Sequence, residues 1–303
     1  MSAPIRYRAH AKINLGLEVL GPRPDGYHEV RTVYQSIGLC DTLEFHPAAS
    51  TVALTCSDPA LSTGEDNLVL RAARALQEAT GCGKGARIHL AKRIPMQAGL
   101  GGGSSDAAAT LLGLCRLWRL APAPELLPDL ARGLGSDVPF FLVGGTALGA
   151  GRGEEVYALP DAPPMHLLVL PGTAGTPTGE AYRLLDERLT GARTPHRIEA
   201  LVQGIVEGTL SERHFFNRFE EVFKQQGDEG SSGRRAAPLR GAGRMLLAGS
   251  GSSWIGIFPD RSQAQEAYRD LSHRGISAIL TGTLTRRDYW ELTVPRMGKE
   301  TLP

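Results

Sequence analysis

Cysteine is scarce in this chain, four in 303 residues, and no two cysteines stand in a C-x-x-C pair. Cys40, Cys56, Cys82 and Cys115 are scattered, which excludes a zinc knuckle or a disulfide framework and fits a reducing compartment. Charge of one sign is also lacking: 33 Lys and Arg face 32 Asp and Glu, a formal net charge of +1. Without an overall field to recruit polyanions or anionic surfaces, no nucleic-acid or membrane partner is expected, and any anionic ligand needs a local site. No uncharged apolar run reaches about 18 residues, so no membrane span is expected. The N-terminal stretch lacks the apolar core of a secretory signal, and a cytoplasmic location is the expectation.

Two familiar phosphate loops are missing as well. What stands in their place is the segment 95–109, PMQAGLGGGSSDAAA. It holds no lysine and so cannot be a Walker A loop, and its glycines do not fall in the Gly-x-Gly-x-x-Gly spacing of a dinucleotide fold. Yet Gly99, Gly101, Gly102 and Gly103 let backbone approach a ligand closely. Ser104 and Ser105 are good N-caps, and the helix start that follows offers unpaired N–H groups and a partial positive charge to a phosphate. The composition, 42% hydrophobic and 21% charged, is that of a globular protein of one large or two medium domains.

Apolar alternation predicts strands over 11–20 and 32–37, with shorter ones over 42–45 and 51–55. Asp66 is placed to cap a helix over 67–80 that Gly81 ends. A strand over 86–94 enters the glycine loop, a helix over about 105–120 leaves it, and another spans about 125–134. The Gly-, Pro- and charge-rich stretch 149–164 reads as a break, giving expected units of 1–155 and 156–303. The second half predicts a strand over 166–170, helices over about 178–189, 197–206 and 211–224, and a surface loop over 225–244. A second glycine turn, Gly249-Ser250-Gly251, precedes a helix capped by Asp260 and strands over 276–284 and 289–294. Two α+β halves with both glycine loops lining a shared cleft are expected.

Three segments, Ala9-His10-Ala11-Lys12-Ile13-Asn14-Leu15, the loop 95–109 and Gly249-Ser250-Gly251-Ser252, together resemble the three motifs of the GHMP small-molecule kinases. Arg23-Pro24-Asp25-Gly26-Tyr27-His28, Asp66-Asn67-Leu68, Leu134-Gly-Ser-Asp-Val-Pro139 and Gly151-Arg-Gly-Glu154 extend the match over most of the chain. They make it similar to the branch whose acceptor is a cytidyl-diphosphate methylerythritol of the non-mevalonate (MEP) isoprenoid route. Three stretches depart from the family: Asn217 is followed by Arg218 rather than Asp, Ala248 stands where Ser is usual, and residues 225–240 have no counterpart.

The resemblance implies an ATP- and Mg²⁺-dependent kinase of α+β GHMP fold. An N-terminal ribosomal-protein-S5-like nucleotide domain and a C-terminal ferredoxin-like domain are implied, in a monomer or weak homodimer. It implies Asp137 as general base and Lys12 as its companion cation. Pro95, Gly99, Leu100, Gly101, Gly102, Gly103, Ser104, Ser105 and Asp106 would hold the ATP phosphates, with Asp106 or Ser105 as Mg²⁺ ligands, and Asn67, Leu68 and Lys92 would surround the adenine. Asn14, Tyr27, His28, Tyr182, Gly249, Ser250 and Gly251 would hold the cytidyl substrate. Each residue also has a plainer reading. Asp106 is placed as a helix-dipole partner, Asp137 as a turn former, and Lys12 and Asn14 on a solvent face. Tyr27 and Tyr182 are core or rim aromatics, Asn67 a cap, Lys92 a solvated lysine, and Gly249 to Gly251 a tight hairpin. Another GHMP kinase, of homoserine or mevalonate type, and a non-catalytic nucleotide-binding protein on the same fold are the alternatives.

Overall fold

The computed structural model describes residues 4–172, 178–188, 197–221 and 239–294. Strands β1 (Ile5–Pro22) and β2 (His28–Ala48) form a long antiparallel ribbon, running from the pair Ile5 and Phe45 to the pair Pro22 and His28. The strands expected over 32–37 and 42–45 are one strand. β3 (Val52–Cys56) and β4 (Gly85–Ala91) extend the sheet on one side in the order β3-β4-β2-β1, while β5 (Thr146–Ala150) pairs with β2 and β6 (Glu155–Ala158) with β5. The expected break over 149–164 therefore begins inside this sheet. Helices α1 (Leu68–Thr80), α2 (Gly102–Trp118) and α3 (Leu126–Leu134) cover one face, and a 3₁₀ turn (Val138–Leu142) follows α3. Phe45, Ile88, Leu76, Leu114 and Trp118 are fully buried between sheet and helices.

The second half contains β7 (His166–Leu170), α4 (Thr178–Arg188), α5 (Arg197–Val206), β8 (Phe216–Asn217), β9 (Arg244–Leu247) and β10 (Trp254–Phe258). α6 (Arg261–His273), β11 (Ile279–Gly282) and α7 (Arg286–Thr293) complete it. Its sheet is antiparallel, in the order β11-β7-β10-β9, which with the intervening helices is the ferredoxin-like arrangement. β8 and α7 are among the pieces that cross between the halves. β8 lies parallel to β1 and completes the first sheet, pairing Gly16 with Phe216 and Leu17 with Asn217. α7 returns to the 3₁₀ turn, where the buried Tyr289 hydroxyl donates to the Phe141 carbonyl at 2.6 Å.

Several expected elements differ. Asn67, not Asp66, caps α1, accepting from the Val69 N–H at 2.9 Å. The strand into the glycine loop ends at Ala91. α2 starts at Gly102, so Ser104 and Ser105 lie in its first turn rather than capping it; Gly101 takes the cap position at φ 70°. Of the helix expected over 211–224, Glu212–His214 is a 3₁₀ turn and Phe216–Asn217 is strand β8, because Phe215 and Phe216 are both drawn into the core, and helix begins only at residue 220. The last strand is α7 instead: the Thr285 side chain caps it at the Asp288 N–H, and Tyr289 and Thr293 are buried one turn apart. Of the loop expected over 225–244, residues 225–238 lie outside the described residues.

Two predictions follow from this packing. A Cβ on Gly113 would overlap the buried Phe45 ring. Gly113→Ala is therefore expected to lower stability by about 1–2 kcal/mol in urea unfolding, the overpacking outweighing the helix-propensity gain of about 1 kcal/mol. His10 is buried with its ring against Tyr289, and burial first and Arg8 second, opposed by the Ile37 backbone, lower its pKa to about 4. The unfolded chain takes up this proton below about pH 6.5 while the folded chain stays neutral. Folding is therefore weakened as pH falls through that window. Between pH 7 and 5 the native protein is expected to lose about 2 kcal/mol more than His10→Gln; equal losses would show that His10 is not the titrating group.

Candidate active site

The middle of β1 is irregular where it matters. Register shifts on either side of Lys12-Ile13-Asn14 interrupt the ladder with β2, a device that re-aims side chains. Ile13 points into the core, while Lys12 and Asn14 point to a face covered by loops, so neither is solvated: they are 4% and 2% exposed. The buried Lys12 ammonium donates to Asn14 Oδ1 at 2.9 Å and lies 3.3 Å from Asp137 Oδ2. Asn14 Nδ2 donates to Thr32 Oγ1 at 2.7 Å, and the Thr32 hydroxyl donates to the Gly16 carbonyl at 2.8 Å. The Tyr34 hydroxyl donates to the other Asp137 oxygen, Oδ1, at 3.0 Å. Burial and then the Asp137 charge hold Tyr34 well above the ordinary tyrosine pKa, so it remains a donor. Asp137 itself, at the start of the 3₁₀ turn, keeps 31% of its side chain open.

The glycine loop sits against this pair. The Lys12 N–H donates to the Leu100 carbonyl at 3.0 Å, and a Cβ on Gly101 would fall 2.9 Å from Phe141 Cζ and 3.0 Å from Lys12 Cγ. Gly101 provides no side-chain cap, so the first N–H groups of α2 keep their capacity for an anion. Leu100 is buried, Pro95 half-buried and Gly103 exposed. The Ser105 hydroxyl is spent on the His10 carbonyl at 2.7 Å, which ties α2 to β1. Asp106 is no surface dipole partner. It is 2% exposed and shares Lys92 with the fully buried Asp41, at 3.0 and 2.5 Å. Burial, opposed by Lys92 and aided by Asp41, pushes the Asp106 carboxyl up to about 7, and its Oδ1 has no partner. Burial disfavours the Lys92 ammonium, but the two carboxylates outweigh it and raise its pKa. Lys92 is thus not the solvated lysine its surroundings in sequence suggest. Leu68 packs near the loop, 3.5 Å from where a Gly103 Cβ would lie, while the Asn67 side chain is committed to Val69 N–H and the Ser62 carbonyl. Among the described residues no group of three or more His, Cys, Asp or Glu side chains is placed to hold a metal ion.

The second glycine turn is more than a hairpin. A Cβ on Gly99 would overlap the Ala248 carbonyl oxygen, and one on Gly249 would come 3.1 Å from the Gly99 oxygen and 3.6 Å from Lys12 Nζ. The two loops and Lys12 therefore meet. Asn217 fixes the second loop: its amide donates to the Leu247 and Gly249 carbonyls at 2.8 and 2.7 Å, and its oxygen accepts from the Phe219 N–H at 2.9 Å. Ser250 faces Thr178 at the start of α4, hydroxyl to hydroxyl, at 3.3 Å. On the same side, the His28 ring stacks on Tyr182, centroids 4.5 Å apart, and its Nε2 meets both oxygens of Asp186 at 2.9 Å. Burial first, then the Asp137 charge, pushes Tyr182 up to about 12. Tyr27 stands apart at the rim, 53% exposed, under the Arg152 guanidinium at 4.6 Å. Thr32, Tyr34, Asp41, Asp186 and Asn217 escaped the sequence reading. Only Asn217 carried a signal, as a polar residue set between buried phenylalanines.

The profile of the GHMP kinases N terminal domain matches residues 67–145. A 4-diphosphocytidyl-2-C-methyl-D-erythritol kinase of Pelotomaculum thermopropionicum is 41% identical over 282 residues, covering 92% of this chain and 98% of that protein. One from Solibacter usitatus is 45% identical over 264 residues, covering 84% and 81%. Among solved structures, a 4-(cytidine 5'-diphospho)-2C-methyl-D-erythritol kinase superposes with a TM-score of 0.77 at 34% identity, over 92% of this chain and 99% of that one.

Removing the Asn217 side chain leaves buried carbonyls and an N–H unpaired. Asn217→Ala is expected to cost about 1–3 kcal/mol and to speed hydrogen exchange at Gly249 to Gly251 in mass spectrometry. Exchange unchanged from the native protein would contradict the role given to Asn217.

Proposed function

This chain belongs to the GHMP kinases, in the branch of the 4-diphosphocytidyl-2-C-methyl-D-erythritol kinases, and from that premise we propose the reaction it performs. It transfers the γ-phosphate of ATP to the 2-hydroxyl of 4-diphosphocytidyl-2-C-methyl-D-erythritol, a step of the MEP route to isoprenoid precursors. The observation that carries this reading is the buried Lys12 ammonium 3.3 Å from Asp137, seated against the glycine loop.

Phosphoryl transfer asks for positioning, charge neutralisation and a proton acceptor. Asp137 accepts the proton of the attacking hydroxyl through Oδ2, its exposed edge facing the cleft. Tyr34 holds Oδ1 and so fixes the carboxylate plane. Lys12 stabilises the negative charge that grows on the hydroxyl oxygen as its bond to the γ-phosphorus forms and the bond to the ADP oxygen breaks. Asn14 keeps that ammonium aimed, being itself held by Thr32. The glycine loop suits the ATP phosphates because Gly101 leaves α2 without a side-chain cap and no side chain fills the cradle. Mg²⁺ brought with the nucleotide would neutralise phosphate charge. Asp106, in the first turn of α2, has Oδ2 on Lys92 and Oδ1 without a partner, so Oδ1 is the oxygen it would offer the ion.

His28 and Tyr182 give the cytosine a hydrogen-bonding edge and an aromatic face, with Tyr27 at the mouth. Gly249 to Gly251 approach the methylerythritol end. The nucleotide falls to the first half, and the acceptor lies between the halves, with Tyr27 and His28 from the first and Tyr182 and Gly249 to Gly251 from the second. No helix among the described residues is long and apolar enough to cross a membrane, which suits a cytoplasmic enzyme of small polar substrates.

The test is ADP release from ATP and Mg²⁺ with the cytidyl acceptor, beside homoserine and mevalonate. Activity is expected with the cytidyl acceptor alone, and Asp137→Asn is expected to lower kcat by about 100-fold or more, the scale of general-base work. Turnover of another acceptor would move the chain to a different branch, and an active Asp137→Asn would remove Asp137 from the mechanism. CDP is expected to raise the melting temperature by mass action; protection by ATP without protection by CDP would count against the nucleoside pocket.

A further inference from the structure

Asp41 has no part in the reaction described above, yet it is the most constrained carboxylate near it. It is completely buried on β2. Its Oδ1 accepts from the Arg93 and Ile94 N–H groups at 2.5 and 2.9 Å, the two residues that lead into the glycine loop. Its Oδ2 holds the Lys92 ammonium at 2.5 Å, and Asp106 in α2 holds the same ammonium at 3.0 Å. The Lys92 N–H is fixed in turn on Ser57 Oγ at 2.9 Å. The Lys92 side chain is 7% exposed, so this is not a surface pair.

The position of that ammonium gives the cluster its meaning. A Cβ on Gly102, the first residue of α2, would lie 3.3 Å from Lys92 Nζ and 3.0 Å from Ile94 Cγ2. Lys92 therefore backs the helix terminus onto which a triphosphate would settle, its charge balanced by Asp41 and Asp106, so that it ties that terminus to β2 and to the strand entering the loop. A long, flexible side chain gains such a place only if something holds it there. Burying an ammonium is costly unless it is paired and hydrogen-bonded. Asp41 does both tasks from one carboxylate: one oxygen fixes the cation, the other fixes the backbone entering the loop.

We propose that Asp41 is a positioning residue for the nucleotide phosphates, holding Lys92 beneath the first turn of α2 and keying it to the glycine loop. This rests on the reading that the loop binds ATP. Asp41→Asn keeps an acceptor for the Arg93 and Ile94 N–H groups and loses the closer of the two carboxylate charges that hold Lys92, leaving Asp106 alone on the ammonium. Calorimetric titration of the variant is expected to show ATP affinity weakened by about tenfold or more, the weight of one charge-assisted hydrogen bond, with CDP affinity unchanged. Unchanged ATP affinity would overturn the proposal, as would equal losses for ATP and CDP, which would mark Asp41 as a plain structural residue.

A measurement on the native protein covers the case in which the variant does not fold. In protein carrying ¹⁵N-lysine, the Lys92 ammonium signal is expected to shift on saturation with ATP and to stay in place with CDP. A signal unmoved by saturating ATP overturns the proposal. Native protein that binds CDP and not ATP would overturn the kinase reading itself, a result distinct from every outcome that touches Asp41 alone.

Discussion

A buried ammonium group, that of Lys12, dictates much of this structure. Its side chain is 5% exposed, and a cation so far from water must be compensated by nearby acceptors. Asn14 and Asp137 provide them, and each needs support of its own. Asn14 leans on Thr32, Thr32 on the Gly16 carbonyl, and Asp137 on Tyr34. Thr32 and Tyr34 come from the neighbouring strand of the long ribbon, and Asp137 from the turn that follows α3. The bulges flanking Lys12 and the glycine at 101, where Lys12 Cγ leaves no room for a side chain, belong to the same constraint.

A second cation is managed in parallel. Lys92 is clasped by two buried carboxylates, one on β2 and one on α2, so each side of the glycine loop is backed by a fixed lysine. Lys12 lies against Asp137 and the second glycine turn, and Lys92 behind the start of α2. Neither is free to swing, which suits a reaction whose protein contribution is mostly fixed charge and geometry. The near-zero net charge is consistent with this: the positive potential is local and is compensated within a few ångströms.

The parts of this arrangement written in contiguous residues were legible in the sequence. The glycine loop, the helix after it, the β7 strand and the Asp260 cap are local features, and the GHMP motifs singled out Lys12, Asp137 and both glycine turns. What escaped depends on distant partners. Lys92 reads as solvated until Asp41, 51 residues away, is brought to it. Alternation at 289–294 suggested a strand, but the contact of Tyr289 with Phe141 and the Thr285 cap favour a helix, so tertiary contacts decided the element. The expectation over 211–224 failed for a similar reason: Phe215 and Phe216 are claimed by a sheet edge on β1 that no local pattern reveals. Serines after a glycine run look like caps, but a glycine at φ 70° begins the helix three residues earlier.

The short strand β8 has a consequence for how such a chain comes into being. A ribosome extrudes β1 long before Phe216 and Asn217 exist, and the helix bearing Tyr289 emerges later still. The first sheet therefore waits, with one edge unfilled, until residues 216 and 217 of the 303 have been made. Pairings of such sequence separation are entropically slow to close. The nascent N-terminal half is left as an intermediate with an open strand edge, the kind of surface that invites unwanted pairing. Synthesis and maturation are thereby coupled: the open edge of the first sheet and the contact at the 3₁₀ turn close only after segments of the second half have been made.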